Sequence, residues 1–444
     1  MALSSRAWLC HPSILVFLLL LAIGSPSAAQ QPGATKPELP WRELALEFVC
    51  APKVFPYVAL STEGASAPVL RELVAGGESS LKVFGAGVDP VQVVDGVVAV
   101  DTDSDGMLEW KLEGASAVVE LSLGRGGGKT SRYGIQIRRV GKNYSYQRWC
   151  YWRGVLEGTP IVLIDEDGNG RFDDLERDRI VVGDTPMSFP LSRRLSLGAA
   201  IFEIRAEPSG DRLHFRPWQG SAARAMAVYE GGANAKVLAA IVKDGNDYFD
   251  IVGGNGGLVP SGSYEVCALA VGTPTQYGIA QGEGKRIVVR DRVPVSLRFG
   301  KNPRLSFSAV DEGPNATVKV DSIHIAAEGM LFTAFQPSAA EVFASLLDGN
   351  SKKRVNQKSV DVVWGKQGDP LRMKMPRYGS YTLELKVDTY DVLFDAPVRG
   401  SAYVRWADPK PAKPKPTPPS QPPAPHRWEP PRPQGPITPG GGGG

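Results

Sequence analysis

Ile201-Phe-Glu-Ile-Arg-Ala206 alternates apolar and polar side chains, Arg212-Leu-His-Phe-Arg216 does the same, and Pro208-Ser-Gly-Asp211 lies between them. A side-chain period of two marks a strand with one buried face, and a Pro/Gly/Asp cluster between two such runs makes a hairpin. Outward from this hairpin the signal recurs at 117–123, 134–140, 285–289, 316–324 and 381–387, with 50 glycines and many prolines as punctuation. Short strands separated by frequent turns build sandwiches or barrels. Helical periodicity is scarce. Residues 338–347 carry a capping-box spacing at Ser338 and Glu341. A competing reading makes Glu341–Leu347 a strand entering an Asp348-Gly349-Asn350 turn, and the β surroundings favour the strand. The expected fold class is mostly β and multi-domain, with β-sandwich modules and Asp-rich loops between strands.

The ends differ from the body. After Met1-Ala-Leu-Ser-Ser-Arg6 comes the apolar run Ile14-Leu-Val-Phe-Leu-Leu-Leu-Leu-Ala-Ile23, then Gly24-Ser-Pro-Ser-Ala-Ala29. That order reads as a secretory signal peptide over 1–29, too short for a membrane anchor. Secreted, periplasmic or envelope-associated placement is expected, with no transmembrane span after cleavage. Residues 408–444 hold 14 of the 37 prolines and end in five glycines. Such a tail cannot bury a core and is expected to be a solvated spacer. Residues 30–40 read as a linker. The body divides into 41–229, a β domain with Asp-rich loops, and two smaller sandwich modules, 230–300 and 301–407.

A net charge of +3, with acids and bases interspersed, gives no nucleic-acid face. Three cysteines follow residue 29: Cys50, Cys150 and Cys267. Cys50–Cys150 is one possible disulfide, and three separate buried thiols are the other reading.

Residues 165–176 read Asp165-Glu-Asp167-Gly-Asn169-Gly170-Arg171-Phe-Asp173-Asp-Leu-Glu176 and fill an EF-hand loop template. Asp165, Asp167 and Asn169 would supply side-chain oxygens at positions 1, 3 and 5, and Gly170 the sharp turn. Arg171 would offer its carbonyl, Asp173 a water, and Glu176 both closing oxygens. Two carboxylates about 4 Å apart repel by roughly 4 kcal/mol at an intermediate dielectric, so a compact loop calls for a cation. Asp101-Thr-Asp103-Ser-Asp105-Gly106-Met107-Leu108-Glu109 matches every position but the twelfth, which is Leu112. Its expected ligands are Asp101, Asp103, Asp105, Glu109 and the Met107 carbonyl, and the expected ion in both loops is Ca2+. A third acidic stretch, Asp244-Gly-Asn246-Asp247, lacks the glycine of position 6 and reads as a plain turn.

Two departures set these loops apart from a helix–loop–helix pair. Phe172 stands where an aliphatic residue is usual, and Pro160-Ile-Val-Leu-Ile164 leads in as a strand. The paired loops resemble the Asp-rich calcium repeats of secreted bacterial proteins, including dockerin-like modules. The run 165–171 with Asp178-Arg-Ile-Val-Val-Gly183 and Phe189-Pro-Leu191 also resembles a group of uncharacterised exported β proteins. That resemblance implies calcium binding and export but no reaction. Val259-Pro-Ser-Gly-Ser-Tyr264 and Met375-Pro-Arg-Tyr-Gly-Ser-Tyr381 resemble the late strand of immunoglobulin-like or transthyretin-like sandwiches, where a corner tyrosine ties the turn to the backbone.

No catalytic constellation accompanies these features. Gly124-Arg-Gly-Gly-Gly-Lys-Thr130 misses the phosphate-loop spacing by one residue. Beyond residue 29 the histidines are His214, His324 and His426, without a paired metal motif or a nucleophile elbow. The expected function is a calcium-binding β protein that acts as a non-catalytic binding or scaffolding module. Its partner would be a protein or polysaccharide at the cell surface. The alternative is a polysaccharide-active enzyme with β-sandwich accessory domains, which needs only two facing carboxylates. Asp311, Glu312 and Glu384 are among the many acids available.

Overall fold

The strand Ala200–Ala206 pairs antiparallel with Arg212–Pro217, with Gly210 in the turn at φ +79°. Their apolar residues Phe202, Ile204, Leu213 and Phe215 share one buried face, as the alternation requires. Gly210 is needed for more than its φ: a side chain there would collide with Trp152 and Phe172. The bare turn therefore closes directly over the aromatic floor of the Asp165 loop. The computed structural model describes residues 38–50, 58–61, 64–66, 71–73, 90–124, 130–252, 257–282, 284–364 and 366–408. The signal-peptide reading, most of the linker, the core of the Gly124–Thr130 stretch and the proline-rich tail beyond 408 lie outside them.

The described residues are almost entirely β, arranged in several sheets around two main cores. Among the described residues the only helical element is the 3-10 turn Val320–Ser322. No helix there is long and apolar enough to cross a membrane. A seven-stranded sheet runs in the order Glu47–Cys50, Cys150–Leu156, Thr159–Ile164, Arg179–Val182, Met187–Pro190, Val58–Ser61, Gly64–Ser66. A four-stranded sheet centred on Thr130–Val140 and a second containing the opening hairpin pack with it around one core, rich in Tyr133, Trp152, Phe172, Phe189 and Phe202. A second core gathers Phe332, Phe335, Tyr381 and Tyr390 under a twelve-stranded sheet.

The strands Lys236–Asp244 and Gly262–Gly272 lie between the two cores. Ala239, Ile241, Ala268 and Ala270 face the first core, whereas Ala240, Val242, Leu269 and Val271 face the second. Burial on both faces replaces the usual alternation with continuous apolar runs. Tyr277–Gly282 then pairs with Met330–Gln336, so the same sheet continues into the C-terminal strands.

Residues 338–347 form the strand Ala339–Asp348, paired on both sides. The expected single strand over 316–324 is broken: Asn315–Val318 ends, the 3-10 turn follows, and His324–Ala327 starts a new strand. Ser322 Oγ donates to the Lys319 carbonyl at 2.7 Å, the side-chain-to-backbone bond by which Ser favours turns over strands. Both corner tyrosines are tied back. Tyr264 Oη donates to the Pro260 carbonyl at 3.0 Å, and Tyr381 Oη to the Arg377 carbonyl at 2.7 Å.

Candidate metal centre

Hairpin register brings the acids together. Thr159–Ile164 pairs antiparallel with Arg179–Val182, and Ile164 lies opposite Arg179. The residue leaving the first strand, Asp165, therefore faces the residue entering the second, Asp178. Carboxylate oxygens of Asp165, Asp167 and Asp178 lie within 4.8 Å of one another. Asp165 is fully buried and Asp178 is 1% exposed.

The backbone is wrapped around Asp165. Its Oδ1 accepts from Gly168 N at 2.7 Å, and its Oδ2 from Gly170 N at 2.7 Å and Tyr133 Oη at 2.6 Å. Gly168 and Gly170 sit at φ +67° and +84°, where a Cβ is strained, so glycine permits this curl. Phe172 anchors the loop from below, edge-on to Tyr133 at 6.1 Å and to Trp152 at 6.5 Å. Asp178 Oδ2 accepts from Asp174 N at 2.7 Å. Its Oδ1 is buried with no hydrogen-bond partner among the described residues. A buried carboxylate oxygen left without a donor carries a desolvation cost of about 1–3 kcal/mol or more. A cation in the cluster would remove it.

Charge and burial reinforce each other. Burial pushes the Asp165 carboxyl up to about 7, against the lowering effects of Tyr133 and Arg148. Asp178 is raised well above the carboxylate range by burial, and next by the Asp165 charge. Glu166, inside the same loop, is occupied elsewhere. It forms a buried ion pair with Arg148 at 2.8 Å and is therefore no ligand for the cluster.

Several expected ligands play other parts. Glu176, expected to close the ring, does not join the acidic cluster. It adopts φ +70°, and its Oε2 lies 3.8 Å from Lys243 Nζ. Asp178 lies beside Asp165 and Asp167 instead, because strand pairing rather than the twelve-residue helical template sets where the loop ends. Asp173 is clamped by Arg171 through bonds of 3.0 and 2.8 Å. Asn169 Oδ1 accepts from Arg171 N at 2.7 Å, and its amide donates to Asp174 Oδ2 at 2.6 Å.

The second loop repeats the design. Val97–Val100 pairs with Trp110–Lys111, with Val100 opposite Trp110, so Asp101 faces Glu109 just as Asp165 faces Asp178. Asp101, Asp103, Asp105 and Glu109 offer oxygens within 4.8 Å of one another. Asp101 Oδ1 accepts from Ser104 N at 2.6 Å and Oδ2 from Gly106 N at 2.9 Å, matching the bonds of Asp165 to the residues three and five positions on. Asp105 Oδ1 accepts from Met107 N at 2.7 Å, as Asn169 does from Arg171. Glu109 differs from Asp178 in being exposed, and its Oε2 accepts from Thr102 N at 3.0 Å and Thr102 Oγ1 at 3.2 Å. Those bonds hold its carboxyl below the usual range. Asp103, Asp105 and Glu109 are exposed, where water lessens their repulsion. The third acidic stretch is a plain hairpin turn, with Asp244 paired to Asp247.

Of the acids named as available for catalysis, Glu312 has a structural partner, and so does His214. Glu312 accepts from Thr317 Oγ1 at 3.0 Å, and His214 Nε2 lies 2.8 Å from Glu207.

No family model and no curated protein matches the chain. Among solved structures it is similar to the FN1-FN3 domains of chicken CNTN1, at 8% identity and a TM-score of 0.16, over 66% of this chain and 96% of that one. It is also similar to dimeric latent PorU from Porphyromonas gingivalis, at 9% identity and a TM-score of 0.18 over 76% of this chain. The chain spans only 33% of that protein.

Proposed function

We propose that this is a secreted or envelope-associated calcium-binding β protein, a non-catalytic scaffold or binding module for a protein or polysaccharide at the cell surface. The observation that carries the metal reading is the buried Asp178 Oδ1, without a hydrogen-bond partner among the described residues, on a carboxylate that has an oxygen within 4.8 Å of oxygens of Asp165 and Asp167. The donor set is all oxygen. Hard carboxylate ligands suit calcium, magnesium or manganese, while the absence of Cys and His from the cluster disfavours zinc. Calcium's tolerance of irregular coordination fits a curled loop closed by strand register better than magnesium's strict octahedron.

The ion would act as a brace. Asp165 and Asp178 stand at the ends of adjacent strands, so joining them through one cation fixes the open end of that hairpin. The Asp101 loop would hold a second, weaker ion, because its acids are already hydrogen-bonded or exposed. The export reading rests on the pattern of residues 1–29. Calorimetric titration of the full chain with calcium tests the metal reading. A saturable heat with about one tight ion, lost in Asp165→Ala, is the expected outcome. A featureless titration would remove the reading's basis.

A further inference from the structure

We propose that Cys50 and Cys150 form a disulfide that staples the edge strand Glu47–Cys50 to the strand Cys150–Leu156, one strand away from the acidic loop. The two cysteines are direct register partners in an antiparallel pair. Directly opposed residues have Cα atoms about 4.5–5.5 Å apart and side chains on the same face of the sheet. A disulfide spans Cα separations of roughly 4.4–6.8 Å.

Both side chains converge on Gly134. A methyl placed there would lie 2.6 Å from Cys50 Sγ and 3.0 Å from Cys150 Cβ. Glycine at this position of the strand Thr130–Val140 leaves the room that Cys50 Sγ and Cys150 Cβ occupy. The third thiol, Cys267, lies on the strand Gly262–Gly272 and is directed at its own strand, with Sγ 3.7 Å from the Glu265 carbonyl. All three are thiols in this structure. The fold thus sorts the three cysteines of the described residues into one opposed pair and one isolated thiol.

The oxidant is a low-molecular-weight disulfide such as oxidised glutathione. One thiolate attacks it, a mixed disulfide forms and one glutathione thiolate leaves. The second cysteine thiolate then displaces the other glutathione. One S–S bond forms and one breaks, and the two thiol protons pass to the two glutathione products. Burial raises the Cys50 thiol to about 11 and the Cys150 thiol further still. Exchange in the finished fold is therefore slow, and the bond forms while the chain folds.

The test folds the full chain from denaturant in a mixed glutathione buffer, then traps free thiols with iodoacetamide in denaturant without reductant, and maps the peptides. The expected result is one linked pair containing Cys50 and Cys150, with Cys267 alkylated. The Cys267→Ala variant should keep that link. Cys50→Ser should leave Cys150 alkylated, and its melting temperature should fall by about 5 °C for a bridge closing so long a loop. Recovering Cys50 and Cys150 as alkylated thiols from folded protein, or either one joined to Cys267, overturns the proposal.

Discussion

Replacing Asp178 with Asn should move stability in opposite directions with and without calcium. In EDTA the variant should be the more stable protein. Oxygens of Asp165, Asp167 and Asp178 lie within 4.8 Å of one another, and two charges at that distance repel by about 3.5 kcal/mol at an effective dielectric of about 20. Burial has already raised Asp165 to about 7 and has pushed Asp178 well above the usual carboxylate range, so partial protonation near neutral pH relieves some of that repulsion. A net gain of about 1–2 kcal/mol remains for the neutral amide. Asn keeps an oxygen to accept from Asp174 N, and its amide can donate toward the neighbouring carboxylates. With calcium the order reverses. Saturation at a hundred times Kd stabilises the parent by about 2.7 kcal/mol, and the variant forgoes it. Roughly 350 ordered residues at about 2.1 cal/mol/K each give about 0.7 kcal/mol per degree. The parent should gain about 3–4 °C from calcium, and the variant should melt about 2 °C above the parent in EDTA. Differential scanning calorimetry at pH 7.5 with EDTA or excess calcium reads both numbers. Equal calcium shifts in the two proteins, or a variant less stable in EDTA, would refute the assignment of Asp178 to the centre.

Three further outcomes follow from the same geometry. Between pH about 4 and 7 the metal-free native state binds a proton at Asp165 that the unfolded state does not. Stability in EDTA should therefore lose a contribution as pH rises through that window, while calcium affinity increases as the carboxylates ionise. Melting scans at pH 5 and 7.5 compare the calcium-induced shifts, and a larger shift at pH 5 contradicts this. Glu176→Gln should leave calcium affinity within about threefold of the parent, since that side chain faces Lys243 rather than the cluster. A loss of tenfold or more in a calorimetric titration would restore Glu176 as the closing ligand. Tyr264→Phe removes the donor to the Pro260 carbonyl at a buried corner and should cost about 1–3 kcal/mol, read from urea denaturation; an unchanged midpoint would show that this tie contributes nothing.

The alternating hairpin of 201–216 and both tyrosine corners were legible because their signals are local: a period of two, or a turn and a tyrosine a few residues apart. The break at Val320–Ser322 was harder to see, since the apolar residues on either side continue the strand pattern across it. The middle-layer strands hid their role, because burial on both faces turns alternation into an unbroken apolar run.

In the acidic cluster, Asp165 and Asp167 could be named from spacing, but its third member, Asp178, could not be found from a helical template. A clue was nevertheless present. Arg179-Ile-Val-Val182 is an apolar strand, and folding it back on Pro160-Ile-Val-Leu-Ile164 sets Asp178 against Asp165. The same folding-back sets Glu109 against Asp101. A loop that ends where its strands meet takes its last acidic residue from the register.

A crystal grown with calcium and measured for anomalous scattering tests the centre most directly. The account predicts a peak bonded to oxygens of Asp165, Asp167 and Asp178 at about 2.3–2.6 Å, with six to eight oxygens in all. A well-ordered loop with no peak among those three carboxylates, in crystals soaked to saturation, would contradict it.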